Sequence, residues 1–166
     1  MQFLHFYSRN NQVVIPTVAR TEDGFFLDVD PVIVIEISAP EVLREKLGGL
    51  LSAENPTIAT PSAAPEGERG QSVVLEKIGL KRWDAFEKEA TLYTVFTAGD
   101  KVHFFVAGRG PDRMWTSSRE NELTFSAATP MDFIAGAIVD QIVRERERMK
   151  PSRTPLLLGP PADVAG

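Results

Sequence analysis

The chain contains no cysteine. That absence removes disulfide staples, thiolate nucleophiles, iron–sulfur clusters and cysteine-based zinc sites together, and it makes a reducing compartment, the cytoplasm, the expected location. Histidine is scarce, with His5 and His103 the only imidazoles. Long apolar runs are lacking as well. None approaches the roughly 18 residues that a spanning helix requires, and the stretch from Met1 to Tyr7 has no basic n-region and no long apolar h-region, so neither a membrane span nor a signal peptide is expected.

What is present fits a globular domain. Of 166 residues, 43% are hydrophobic and 25% are charged, a balance able to fill one core. Acidic residues outnumber basic ones, 23 to 18, for a formal net charge of −5. Such a surface repels polyphosphate and carries no electrostatic footprint for nucleic acid, and it favours basic partners.

Along the chain, short β-prone runs come first. Phe3 to Ser8 and Gln12 to Arg20 flank the turn residues Asn10-Asn11, and Pro16 marks the second run as an edge strand or a bulged one. Asp23-Gly24 signals a turn before Phe25 to Val29, and Val32 to Ile37 is a compact apolar strand. Ser38-Ala39-Pro40-Glu41 reads as a capping box opening a helix. The stripe Val42, Leu43, Leu47, Leu50 and Leu51 follows at helical spacing, weakened by Gly48-Gly49. Asn55 to Gly70, with three prolines and no periodicity, reads as a long mobile loop.

Ser72 to Ile78 predicts a short helix ended by Gly79, and Leu80 to Ala90 a second one with Trp83 and Phe86 as core anchors. Leu92 to Thr97 and Val102 to Ala107 form a hairpin about Ala98-Gly99-Asp100, and Glu122 to Ala127 adds a strand. The clearest helix begins at an N-cap Thr129 with Pro130 at the first helical position. It buries Ile134, Ile138 and Ile142 and stops before Pro151. The expected fold is α+β: a mostly antiparallel sheet with about three packed helices in a single domain over residues 1–150, interrupted by the loop 55–70 and followed by a flexible tail, 151–166.

Candidate chemistry is thin. His5 and His103 fall inside predicted strands, and a small hydrolase or nuclease using either is an alternative reading that lacks a spaced third group. Gly108-Arg109-Gly110-Pro111-Asp112-Arg113 reads as a surface turn, lacking the third glycine and the following helix of a nucleotide loop. Asp28-Val29-Asp30 has two carboxylates but no further ligand to complete a shell. No metal site, cofactor or catalytic residue is assigned. Exposed acids remain: Glu22-Asp23, Asp84, Glu87, Glu89, Glu120 and Glu122, which together suit a basic partner if they converge.

The order of these features resembles the immunity proteins of bacterial contact-dependent growth inhibition systems. The similarity covers roughly residues 1–147: a β-rich start, the strand Pro31-Val32-Ile33-Val34-Ile35-Glu36, the helix Val42 to Leu51, and Gly79-Leu80-Lys81-Arg82-Trp83-Asp84-Ala85-Phe86-Glu87-Lys88 leading into a hairpin. Its most specific piece is Gly-Leu-Lys-x-Trp-x-x-Phe. The resemblance implies a cytoplasmic, non-enzymatic toxin inhibitor whose partner is a cognate toxin C-terminal domain, expected to be a basic nuclease. Asp84, Glu87, Glu120 and Glu122, at element ends or on polar helix faces rather than in the predicted core, are the expected contacts. A non-catalytic scaffold domain is the third reading. The loop 55–70 and the tail after Lys150 look like additions to that pattern.

Overall fold

The computed structural model describes residues 2–62, 72–110, 114–117 and 122–149. The β-prone N-terminal third forms three strands, β1 (Phe3–Arg9), β2 (Gln12–Thr21) and β3 (Phe26–Glu36). A turn through Asn10 and Asn11 joins the first two. Both residues have positive φ, 49° and 71°, and Arg9 pairs directly with Gln12, the two-residue geometry that asparagine tolerates well. Pro16 lies in a register irregularity between Ile15 and Thr17 of β2. Because β2 is paired on both sides, the bulge expected there is what accommodates the proline.

The runs Phe25 to Val29 and Val32 to Ile37, expected as two strands, are one strand. The chain passes through a cis Asp30–Pro31 bond without leaving the ladder. β3 is the outermost strand, so the amide that Pro31 lacks interrupts only one side of it.

Helix α1 (Pro40–Ser52) corrects the expected capping box: its N-cap is Ala39, and no side chain caps it. Ser38 stands one position too early. Pro40 at the first helical position has no N–H to satisfy, and the carbonyl of Ala39 accepts from the Leu43 amide at 3.2 Å. Gly48, read from sequence as a weakness, has a packing role. A Cβ there would lie 3.0 Å from Oδ1 of Asp132 and 3.9 Å from Cβ of Ala135, so its absence lets α1 approach the C-terminal helix α4 (Met131–Met149) closely. The Pro130 carbonyl accepts the first bonds of α4, from Phe133 and Ile134, one residue later than the N-cap expected at Thr129.

The segment read as a loop from Asn55 begins with structure. Asn55 bridges β1 and β2 where they part: its Oδ1 accepts from the Phe3 amide at 2.9 Å, and its Nδ2 donates to the carbonyls of Phe3 and Val18 at 2.7 and 2.9 Å. A short strand, β4 (Thr57–Ile58), then runs parallel to β2. The rest of that segment, 63–70, lies outside the described residues, as does the tail after residue 149.

Helix α2 (Val73–Lys77) ends as expected at Gly79, which adopts φ 71°. The Leu80 amide bonds to the Leu75 carbonyl and the Gly79 amide to that of Glu76, the pattern of a Schellman cap. The helix expected over Leu80 to Ala90 shrinks to α3 (Trp83–Glu87), because Arg82 is extended and starts it late. β5 (Thr91–Ala98) and β6 (Lys101–Arg109) form the expected hairpin, flanked on the far side of β6 by β7 (Trp115–Ser117) and β8 (Leu123–Ser126).

The eight strands make one sheet in the order β3-β2-β1-β5-β6-β7, with β4 beside β2 and β8 beside β6. Apart from the β2–β4 pair, every ladder is antiparallel. The fold is therefore α+β, with four helices among the described residues. Helices α1 and α4 cover one face over Leu4, Phe6, Val13, Ile15, Val95 and Phe104. On the other, α2 and α3 cover Tyr7, Val14 and Val32. Phe86, Ile134, Ile138 and Ile142 are buried as expected, whereas Trp83 is half-buried at the edge of the second cluster.

Two measurements check this packing. Ile138→Ala, at a fully buried position, is expected to cost about 2–5 kcal/mol, read as a lower denaturant midpoint at unchanged slope. An unchanged midpoint refutes the core assignment. The two tyrosines, Tyr7 and Tyr93, are both buried, and burial pushes both phenols well above the ordinary tyrosine value; the Asp28 charge adds to this at Tyr7 and Glu145 at Tyr93, where the Ser8 hydroxyl pulls the other way. A raised folded-state value stabilises the protein fully below the unfolded value of about 10, and that contribution is lost as pH rises beyond it. Phenolate absorbance should therefore stay low at about pH 10, where free tyrosine is half ionised, and emerge together with loss of the far-ultraviolet circular dichroism. Phenolate appearing in the intact fold near that pH refutes it.

Candidate interaction surface

The alternation of β1 sends Leu4 and Phe6 into the α1/α4 core and turns Phe3, His5 and Tyr7 to the opposite face. Helices α2 and α3 are short, and they cover only the Tyr7 end of that face. Beyond it, Phe96 of β5 and His103 and Phe105 of β6 are half-buried yet belong to neither buried cluster. Register explains their meeting: Phe3 pairs with Phe96, and Phe96 with His103.

The three rings of β5 and β6 form a stacked slab with nearly parallel planes. Phe96 and His103 stack at 5.1 Å with 24° between planes, Phe96 and Phe105 at 5.5 Å and 9°, and His103 and Phe105 at 6.1 Å and 15°. At its rim, Oε1 of Glu122 is 3.7 Å from Nδ1 of His103, and Oγ1 of Thr124 on β8 is 3.4 Å from the same nitrogen. On β1, Nε2 of His5 lies 2.6 Å from Oδ1 of Asp28. Both atoms are shut off from solvent and neither has an aligned hydrogen bond, so the two groups meet in close contact alone. His5 and Asp28 also line a cleft of about 840 Å³ whose other walls include Phe25, Phe26, Ile58 and Val73.

The two histidines do not converge on one reacting atom. β5 lies between their strands, and the strand spacing and rise put the residues roughly 12 Å apart. Each imidazole instead has its own carboxylate. Among the described residues, no three or more His, Asp or Glu side chains are grouped to hold a metal ion; Asp28 is turned to His5, and Asp30 is exposed.

Of the four acids singled out from sequence, the three that are described are dispersed. Asp84 sits in the first turn of α3, gripped by the Arg82 fork through Nε at 2.9 Å and Nη2 at 2.7 Å. That hydrogen-bonded guanidinium holds its carboxyl below the usual carboxylate range, with the Ala85 amide assisting. Glu87, at the end of α3, is half-buried and engaged with a neighbour. Glu122 is at the rim of the ring slab, at the opposite end of the face from α3. Glu120 lies outside the described residues.

Within each strand the sequence places His5 on one side with Phe3 and Tyr7, and His103 with Phe105. What it does not give is the register that sets Phe96 beside both Phe3 and His103 and so assembles the slab.

No helix among the described residues is long and apolar enough to cross a membrane. No protein-family model matches the sequence, and no curated protein matches it. Solved structures share the fold. A protein of unknown function from Neisseria meningitidis superimposes with a TM-score of 0.58 at 11% identity, over 87% of this chain and 94% of that one. A chain of the CdiA-CT/CdiI toxin and immunity complex from Yersinia pseudotuberculosis superimposes with a TM-score of 0.53 at 12% identity, over 86% of this chain and 95% of that one.

Proposed function

We propose that this protein is an immunity protein that binds a cognate toxin domain in the cytoplasm and neutralises it by occluding its active site or substrate groove. The observation that carries this reading is the fold shared, over nearly the full length of both chains, with a chain of a toxin and immunity complex. The half-covered sheet face supports it: aromatic rings rimmed by carboxylates are the composition of an interface centre rather than of an inert surface. The excess of acidic residues, net −5, suits a basic toxin such as a nuclease domain, which must attract phosphates.

In this reading no catalytic residue or cofactor is needed, and the protein touches neither nucleic acid nor membrane. Asp84, Glu87, Glu120 and Glu122 are the proposed contacts. Asp84 is suited to the role because its guanidinium clamp keeps the carboxylate charged and oriented, and Glu122 because it borders the rings. The dispersal of these acids fits long-range steering over a broad face better than a single acidic socket.

The test is co-expression. The toxic C-terminal domain encoded in a neighbouring reading frame should arrest growth alone and be tolerated beside this protein, and continued arrest overturns the assignment. Stopped-flow association of the purified pair should slow as ionic strength rises from low to physiological. Neutralising the acids that matter should cost about 2 kcal/mol or more of affinity each. A flat salt dependence with wild-type binding in all four variants removes both the electrostatic mechanism and the contact assignment. The His5–Asp28 contact gives the enzymatic alternative its one structural support, and loss of a measurable hydrolytic activity in His5→Ala would favour it.

A further inference from the structure

We infer that the slab formed by Phe96, His103 and Phe105, with the carboxylate of Glu122 at its rim, is a receptor site for a guanidinium group: an arginine side chain of a basic partner protein. The inference deepens the toxin-binding reading by naming what the partner presents at this spot.

Three observations converge on that chemistry. The ring planes are nearly parallel, within 9° to 24° of one another at centroid separations of 5.1 to 6.1 Å, so they form an offset stack with ring faces at its ends. The negative faces of such rings attract a cation, and a planar guanidinium stacks on them where a compact ammonium does not. Secondly, the rings are half-buried, belong to neither core cluster and stack on one another. Half-buried aromatics of this kind gain most from a ligand that completes their desolvation.

Thirdly, Glu122 has no lysine or arginine within ion-pairing reach among the described residues. Its neighbour among the described residues is the His103 imidazole, at 3.7 Å, and the Glu122 side chain keeps 30% of its exposure. Among the described residues, the carboxylate therefore stands beside the slab with no permanent countercharge. A guanidinium lying on the rings would present its N–H edge to that carboxylate, combining cation–π stacking with a charge-assisted hydrogen bond. Lys101, on the same side of β6 by alternation, is at the strand's exposed end and makes no ion pair with Glu122. The overall charge of −5 favours a cationic occupant over an anionic one.

Argininamide is the probe, followed through backbone and aromatic resonances of the full chain. Citrullinamide serves as its neutral isostere and lysinamide as a point-charge control. Argininamide should shift Phe96, His103, Phe105 and Glu122 saturably, bind more tightly than lysinamide, and leave citrullinamide without effect. Glu122→Gln and Phe105→Leu should each weaken it by about tenfold, equivalent to about 1.4 kcal/mol. Equal shifts with citrullinamide, or undiminished argininamide binding in both variants, overturns the site. Should Phe105→Leu lose its far-ultraviolet circular dichroism, Phe96→Leu and Glu122→Gln decide the matter. The same variants, carried into the toxin-binding measurement, separate the two readings. A toxin neutralised with unchanged affinity by Glu122→Gln and Phe105→Leu overturns this site and leaves the immunity reading standing. A toxin that wild-type protein fails to neutralise overturns that reading, while the argininamide titration still decides the site.

Discussion

The antiparallel ladder between β1 and β5 is the constraint on which the rest of the molecule depends. It pairs Phe3 with Phe96 through to Ser8 with Thr91, and the Ser8 hydroxyl and the Tyr93 phenol, 3.1 Å apart, tie its far end. Because side chains alternate with a period of two, this register decides at once which residues enter the helical core and which face away. Leu4, Phe6, Tyr93 and Val95 go to α1 and α4; Phe3, His5 and Phe96 go to the other side. A slip of one residue would bury His5 among isoleucines and expose Phe6. Desolvating an unpaired imidazole while surrendering a large apolar side chain makes that alternative far less stable.

The same register creates an asymmetry between the two faces. Helices of 13 and 19 residues cover one, while the other has only the five-residue α2 and α3. Two helices of that length cannot span a sheet of this width, so part of the face is left to rings that pack on each other. Aromatic side chains tolerate such a half-buried position because stacking recovers some of the contact that a missing layer would provide. A sheet half that no described helix covers and a stacked aromatic slab are thus two consequences of one economy in helix length among the described residues.

How much of this was legible in the sequence depended on whether the signal was local. Strand and helix positions followed from apolar spacing, and the Asn10-Asn11 and Gly79 turns followed from residues that accept positive φ. What failed was set by distant partners. Asn55 looked like the start of a loop, yet its amide stands in for a strand between Phe3 and Val18, residues far away along the chain. Gly48 looked like a weakness until α4 arrived against it. Leu80 to Ala90 carried helical spacing, but the Gly79 cap and the extended Arg82 delay the helix to Trp83, and Trp83 is left half-buried. The acids were read as exposed, whereas Asp84, Glu87 and Glu122 are partly buried, and nothing in their spacing told that Asp84 and Glu122 stand at opposite ends of one face.

That separation bears on how an acidic protein of this shape holds a partner. Charges spread across a face act together at long range, where individual positions matter little and the summed field sets the encounter rate. At contact the balance reverses. Salt and water screen each exposed carboxylate, so an isolated surface ion pair contributes little, whereas a group that seals aromatic surface from water contributes through burial and through the ring's own field. Asp84, only partly exposed and already clamped by Arg82, belongs to the first regime. Glu122, half-buried beside Phe96, His103 and Phe105, belongs to the second, because a cation that reaches it must also cover the rings. In the proposed toxin-binding reading, the face divides its work between acids that draw a basic partner in and one carboxylate placed where arrival excludes water.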